Sequence, residues 1–223
     1  MSRIDELLEE RITAGREYRN TSSIEIRSAE EGVEAEQIVE GYASTFNQPY
    51  TLFDFGDYCV REQIDPHAFD ECDMSDVIMQ YDHSGRVFAR MSNKTLEVRA
   101  DEHGLKMVAN LGGTEIGRQL YEEIKGGYTN KMSFGFIVAE DKREVVEDYE
   151  NNRTEVLRTI TKIQKLFDVS AVSLPANDAT EISARNFSNG VIEEVKAERL
   201  EAERRAKALE RIAKFKKEDI PND

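Results

Sequence analysis

Short runs of alternating apolar and polar residues fill the chain from Ser23 to about Phe187, and they constrain the fold more than any other feature. Alternation with a period of two is typical of β-strands that bury one face, and turn residues separate the runs. The predicted strands cover residues 24–27, 37–46, 58–64, 77–83, 95–99, 105–111, 131–139, 155–164 and 167–174. Many short strands joined by turns indicate a β-barrel or a β-sandwich.

Helices are predicted before and within this strand-rich region. Residues 4–19 are predicted to form a short charged helix that ends at the break Thr21-Ser22-Ser23. A second helix is predicted over residues 114–125, with Thr114 as its N-cap and Gly126-Gly127 as its stop. Together with the strands, these helices indicate an α+β protein.

The segment 190–218 is predicted to be a separate charged helix. Three acid-to-base pairs spaced i,i+4 each stabilise such a helix by about 0.2–0.5 kcal/mol, and they are Glu201 with Arg205, Glu203 with Lys207, and Glu210 with Lys214. Its apolar stripe is thin, so the segment is either a solvated helix or a helix that docks on a partner helix. We therefore predict an N-terminal charged helical arm (1–22), a folded domain (23–187) and a charged helical C-terminal tail (188–223).

The composition limits the partners and cofactors that we expect. A formal net charge of −15 over 223 residues argues against nucleic-acid binding, because phosphate affinity comes from Lys and Arg. Cys59 and Cys72 have neither disulfide-framework nor metal-ligand spacing, so we expect no cofactor, no metal and a reducing compartment. No apolar run approaches the ~18 residues of a membrane span, and the first residues lack the apolar stretch of a signal peptide. These features predict a soluble intracellular protein.

Ser133 lies in the most informative predicted strand, residues 131–138. Alternation puts Met132 and Phe134 on one face of this strand, and Ser133 and Gly135 on the other. Because Gly135 has no side chain, we expect it to leave room for another chain to approach the hydroxyl. A nucleophile on a strand needs such access, although a serine on the polar face of a strand is also ordinary.

Two more residues could complete a nucleophilic site. His83 ends an apolar run just before Ser84-Gly85, a turn signal, so a strand could orient it. Asp168 interrupts a run apolar enough to be buried on both faces, and an unpaired buried carboxylate costs several kcal/mol. Its partner could be a histidine, an arginine or a set of backbone N–H groups. A nucleophilic serine needs a base, and the base needs a third group to fix its tautomer; His83, Ser133 and Asp168 could supply these roles.

Four ordered segments resemble the signature of the tailed-phage prohead protease family. They are residues 64–70 (IDPHAFD), 76–83 (DVIMQYDH), 132–136 (MSFGF) and 166–177 (LFDVSAVSLPAN). The resemblance covers about residues 37–187 and implies a fold similar to the herpesvirus assemblins, a small, mostly antiparallel β-barrel surrounded by helices. It also implies a serine endopeptidase with Ser133 as nucleophile and His83 as general base. The herpesvirus relatives use a second histidine as third member, whereas the phage family has an acid, here Asp168.

The resemblance further implies where the protein acts and on what. Proteases of this family cleave scaffold and capsid proteins inside the immature shell, so we expect cleavage of the major capsid protein and its scaffold segment, and self-cleavage. The portal and a homo-oligomer are further candidate partners, and no nucleic acid or membrane is expected. The expected location is the assembling prohead in the host cytoplasm.

Two alternative functions remain compatible with some of the residues. The negative charge and the charged ends fit a non-enzymatic acidic scaffold or assembly chaperone, although such a chain should be mostly helical. A metallohydrolase could use His67 and His83 with nearby acids, but these residues have no recognised ligand spacing.

Overall fold

The computed structural model of the protein describes residues 14–27, 37–148, 153–172 and 178–218. Two compact units divide the chain, Met1–Arg185 and Asn186–Asp223. The strands are β1 (Glu17–Ile26), β2 (Ile38–Thr45), β3 (Tyr50–Asp54), β4 (Tyr58–Ile64), β5 (Ile78–Tyr81), β6 (Ser84–Arg90), β7 (Leu96–Ala100), β8 (Gly104–Asn110), β9 (Lys131–Asp148) and β10 (Arg153–Val172). The helices of the described residues are α1 (Glu115–Lys125) and α2 (Asp178–Glu218).

The strands form one sheet, and β10 occupies its centre. The strand order is β3-β4-β10-β9-β1-β2-β8-β7, and β5 pairs with both β10 and β6. One edge of β10 pairs antiparallel with β9, and the other pairs in parallel with β4 and then with β5. β1 pairs with β9 through Ser23 and with β2 from Ile24 onwards. As a result β9, β10 and the β5–β6 hairpin lie side by side.

The observed architecture agrees with the predicted α+β class in its coarse features. The described chain is mostly β-structure with two helices. The end strands of the path, β3 and β7, do not pair with each other among the described strands, so the predicted closed barrel is not confirmed. Within Met1–Arg185, α1 is the one helix of the described residues that lies wholly inside the unit, and a surrounding set of helices is not seen there.

Three predicted elements differ from the structure. Residues 17–19, assigned to the N-terminal helix, belong to β1, and residues 4–13 of that helix lie outside the described residues. The two strands predicted over 155–164 and 167–174 are one strand, β10, whose pairing with β9 shifts register several times between Ile160 and Asp168. β3 and β6 were not predicted, because their charged residues and glycine weaken the alternating pattern.

Helix α1 forms where the sequence predicted it. The hydroxyl of Thr114 accepts a hydrogen bond from the Gly117 N–H at 3.0 Å, and the N–H of Gly126 donates to the Glu122 carbonyl at 2.8 Å. The N-cap and the C-terminal glycine therefore satisfy backbone groups that a helix end leaves unpaired. Leu120 and Ile124, four residues apart on one face, are buried in the core.

A network of charged side chains is buried where β1, β4 and β10 meet. Arg19 of β1 donates to both carboxylate oxygens of Glu62 on β4, at 2.6 and 3.0 Å. Arg158 of β10 donates to Glu62 Oε2 at 2.8 Å and to both oxygens of Glu17 at 2.8 and 3.0 Å. Burial alone raises the pKa of Glu62, but the two guanidinium groups and the Tyr50 hydroxyl outweigh burial and lower it to about 2.

Replacing Glu62 with glutamine is expected to lower the free energy of unfolding at pH 7 by about 3–5 kcal/mol, because Arg19 and Arg158 then lose their buried anion. The pKa of Glu62 falls from 4.5 to about 2 on folding. Its stabilisation is therefore complete above pH 4.5 and is lost as the pH falls towards 2.

Denaturant unfolding of both proteins between pH 7 and pH 2 tests this expectation. The Glu62→Gln variant should lose less stability on acidification than the wild type. Glu40→Gln is the matched control, since Glu40 pairs with Arg27 at the surface and such pairs contribute about 0–1 kcal/mol. Equal losses in the two variants at pH 7 would contradict the expectation.

In the second unit, α2 carries two of the three predicted i,i+4 ion pairs. Arg205 Nη2 lies 3.0 Å from Glu201 Oε1, and Lys207 Nζ lies 3.9 Å from Glu203 Oε2. The side chain of Lys214, which belongs to the third pair, lies outside the described residues. Because α2 begins at Asp178, the predicted boundary at residue 188 falls inside a helix, and the division into arm, folded domain and tail stays a prediction. No helix of the described residues is long and apolar enough to cross a membrane.

Candidate active site

His83 lies in the tight turn of the β5–β6 hairpin. Tyr81 of β5 pairs with Ser84 of β6, so Asp82 and His83 are the two central residues of the turn. Their φ angles are 47° and 56°, which is the backbone of the type I′ turn that matches the twist of paired strands. The sequence placed this turn at Ser84-Gly85, and the structure places it two residues earlier.

The turn is strained and held in place from β10. A residue other than glycine with positive φ costs about 1–3 kcal/mol, and such residues concentrate at functional sites. The N–H of Asp82 donates to the carbonyl of Ala171 on β10 at 3.0 Å. This hydrogen bond continues the pairing of β5 with β10 into the turn, so the backbone next to His83 is tied to β10.

Ser133 and Asp168 come from the two neighbouring strands β9 and β10. Ser133 pairs with Ser170, and Gly135 pairs with Asp168, across the antiparallel ladder. Because residues two apart on a strand share a face, Ser133 and Gly135 point to the same side of β9. On the other edge of β10, Asp168 pairs with Ile78 of β5. The strand order β9-β10-β5 therefore brings together three residues that are far apart in the sequence.

The three side chains form a continuous hydrogen-bonded chain. His83 Nδ1 lies 2.5 Å from Asp168 Oδ1, and His83 Nε2 lies 2.6 Å from Ser133 Oγ. All three residues have 0% of their surface exposed. Of the partners considered for Asp168 in the sequence, the histidine and an arginine both contact it.

Asp168 is held in the ionised form. Burial alone raises its pKa, but the charge and hydrogen bond of His83, the charge of Arg16 and the hydroxyl of Ser170 outweigh burial and lower the pKa to about 2. An ionised Asp168 accepts the hydrogen bond from His83 Nδ1–H. Nε2 of a neutral His83 is then the acceptor for the Ser133 hydroxyl, which is the tautomer a general base needs.

Gly135 has a different role from the one expected. A Cβ at this position would lie 2.6 Å from Asp168 Oδ2 and 3.0 Å from Arg16 Nε, and contacts this short do not fit without a shift of the neighbours. The space that Gly135 leaves open is occupied by the Asp168 carboxylate and the Arg16 guanidinium. The expectation that it admits a substrate chain to the serine is therefore wrong.

Arg16 and Tyr18 were missed in the sequence and contact the same residues. Arg16 Nη2 forms an ion pair with Asp168 Oδ2, and the Tyr18 ring lies 4.4 Å from the His83 ring. Both residues were assigned to the charged N-terminal helix, in which Arg16 would be one more solvated cation. The alternation of residues 16–19, with Tyr18 as a buried strand residue, was the sequence signal that could have predicted a strand here.

A cavity of about 460 Å³ borders the same hairpin. It lies between β6 and α1 and reaches Tyr81 and Ser84, the residues on either side of Asp82 and His83. Phe88 and Leu120 form apolar parts of its wall, and the cavity is large enough for a side chain of a bound peptide.

The other residues considered for a metal site lie elsewhere. His67 is exposed and its Nδ1 lies 3.0 Å from Asp70 Oδ2. Within the part of the chain that the structure describes, no three His, Cys, Asp or Glu side chains are grouped so that they could hold a metal ion. The structure thus offers no support for the metallohydrolase alternative among the described residues.

A serine, a histidine and a carboxylate linked in this order are the arrangement that serine hydrolases use. Comparison with protein families matches residues 22–196 to the caudovirus prohead serine proteases. Because this match covers most of the 223 residues, the chain belongs to the caudovirus prohead serine protease family. It is accordingly a serine peptidase of phage capsid maturation. No curated protein and no solved structure matches the chain.

Proposed function

We propose that Ser133 is the nucleophile of this peptidase, His83 its general base and Asp168 the group that orients His83. The observation that carries the proposal is the contact of one imidazole with both partners, 2.6 Å to Ser133 Oγ and 2.5 Å to Asp168 Oδ1. Family membership supports the reaction class, and the contact geometry supports the choice of residues.

The proposed reaction follows from this geometry. Ser133 Oγ attacks the carbonyl carbon of the scissile peptide bond while its proton passes to His83 Nε2. The anionic Asp168 stabilises the imidazolium that forms. His83 then gives the proton to the leaving amine, and a water molecule activated by the same nitrogen hydrolyses the acyl-enzyme.

The proposed substrates are the major capsid protein, its scaffold segment and the protease itself, inside the assembling prohead in the host cytoplasm. Family membership supports a role on capsid and scaffold proteins of this kind. The portal and further copies of the chain are additional proposed partners. The non-enzymatic scaffold alternative loses its support, because the family consists of serine proteases and the described chain is mostly strands.

A fluorophosphonate probe tests the assignment, since such probes phosphonylate an activated serine and release fluoride. We expect labelling of the wild-type protein at a single residue, identified as Ser133 by peptide mapping. Ser133→Ala should abolish labelling. Ser92→Ala, which removes an exposed serine, is the matched control and should be labelled as the wild type is. Labelling of the Ser133→Ala variant at the wild-type rate would disprove the assignment.

A further inference from the structure

We propose that Arg16 is a positioning residue for the reaction, which holds the Asp168 carboxylate so that Oδ1 faces His83. This proposal rests on the proposed function of His83, Ser133 and Asp168. Arg16 does not reach the serine or the imidazole in the contacts of the structure; it acts through Asp168.

The two carboxylate oxygens of Asp168 have different donors. Oδ1 accepts hydrogen bonds from His83 Nδ1 at 2.5 Å and from the Ser170 hydroxyl at 2.7 Å. Oδ2 accepts from Arg16 Nη2. Because each oxygen has its own partners, rotation of the carboxylate would break contacts on both sides. The orientation that directs Oδ1 at the imidazole is therefore fixed by Arg16 and Ser170 together.

The guanidinium of Arg16 is itself held in place. Its Cζ lies 4.1 Å from the centre of the Phe167 ring and 5.3 Å from that of Tyr18, distances at which a cation is attracted to an aromatic face. Its side chain is only 11% exposed. The missing Cβ of Gly135 leaves the room that the guanidinium and the carboxylate share. The ion pair of Arg16 with Asp168 is therefore packed and largely buried, unlike a surface ion pair.

Arg16 reaches the site from a segment that precedes residue 22, where the family match begins. Strand β1 begins at the next residue, Glu17, and the hydrogen bonds of Arg19 with the buried Glu62 hold β1 on the sheet. Tyr18, between the two arginines, packs its ring against the His83 ring. Arg16, just before β1, therefore contacts Asp168, and Tyr18, near the start of β1, contacts His83.

The test measures fluorophosphonate labelling of Arg16→Met, resolved into the maximal rate of inactivation and the apparent binding constant. A misplacement of about 1 Å in a catalytic group can cost about 100-fold in rate, so we expect a maximal rate about 100-fold below wild type with an unchanged binding constant. Arg16→Lys, which keeps the charge, should recover part of the loss. Arg27→Met is the matched control, because Arg27 pairs with Glu40 at the surface beyond the other end of β1, and its rate should equal that of wild type.

Two further readouts separate positioning from a structural role. The charged or titratable groups in contact with Asp168 are His83 and Arg16, with the Ser170 hydroxyl as the third donor. Removing the cation favours protonation of the His83–Asp168 pair, so the acid limb of the rate profile should move to higher pH in Arg16→Met. Added ethylguanidinium should raise the labelling rate of Arg16→Ala and leave wild type unchanged.

Each result of these labelling experiments either supports or overturns the positioning role of Arg16. A wild-type maximal rate in Arg16→Met would overturn it. If Arg16→Met does not fold, Arg16→Lys carries the test: a rate about 10-fold below wild type with a native unfolding midpoint supports positioning, and a wild-type rate overturns it. Failure of the underlying triad is distinguished by Ser133→Ala, which remains labelled only if the nucleophile is another residue.

Discussion

Ser133→Ala is expected to reduce peptide hydrolysis by about 10⁴- to 10⁶-fold and to leave the fold intact, as losses of a triad nucleophile do in other serine peptidases. The change removes one oxygen atom from a strand whose neighbouring side chains Met132 and Phe134 stay packed in the core. The rate can be measured as processing of the co-expressed capsid protein, and the fold by thermal unfolding of the purified variant.

A Ser133→Ala variant that processed its substrate near the normal rate would show that another residue is the nucleophile. Ser170 would be examined first, although its hydroxyl donates to Asp168 Oδ1 at 2.7 Å and is thus already engaged with the carboxylate. Ser173, the next serine along this segment, lies outside the described residues. Ser92→Ala, at an exposed position, should process the capsid protein normally.

Asp168→Asn is expected to lower turnover by about 10⁴-fold through the wrong imidazole tautomer. An amide at this position can present its NH₂ group to His83 Nδ1, which then becomes the acceptor and leaves the proton on Nε2, towards Ser133. Arg16 would still favour the oxygen at the Oδ2 position, and the Ser170 hydroxyl, which shares the Oδ1 position with His83, would lose its acceptor there, so the side chain cannot satisfy all of its present donors. Turnover and the unfolding midpoint of the variant are measured together.

The matched control is Asp73→Asn, because Asp73 forms an exposed ion pair with Lys165 of β10, 2.6 Å between Nζ and Oδ2. This variant should keep wild-type turnover. A normal rate in Asp168→Asn would mean that Ser133 and His83 work as a dyad. If turnover falls only in proportion to the fraction of unfolded protein, Asp168 has a structural role.

The sequence contained enough information for the local elements of the fold. The bounds predicted for β4 agree with the structure, and Thr114 caps α1 as expected, because strand alternation and helix caps depend on neighbours in the chain. β10 was read as two strands because its register shifts reset the alternation between Ile160 and Asp168. The position of one strand relative to another is not encoded locally, and so the parallel pairing of β5 with β10 could not be predicted.

For the candidate site, too, local residue context was informative, whereas contacts between distant residues could not be predicted. His83, Ser133 and Asp168 were selected from residue context and from a family resemblance, and their catalytic roles remain predictions. The carboxylate inside an apolar run indicated that Asp168 needed partners, but its context could not say which. Arg16 could not be selected, because its role depends on a contact with a residue 152 positions further along the chain.

The side chains on the two faces of β1 also specify how this strand aligns with β9. A slip of one residue along β9 would turn each side chain of β1 to the opposite face. In one direction Glu17 would take the place of Arg16 and confront Asp168, carboxylate against carboxylate. In the other direction Tyr18 would take the place of Arg19, and Glu62 would lose that cation. Each misaligned state would place like charges together or strand a buried ion, so the order Arg-Glu-Tyr-Arg at residues 16–19 selects one alignment. These four residues thereby disfavour the alignments in which the contact of Arg16 with Asp168 or that of Arg19 with Glu62 is lost.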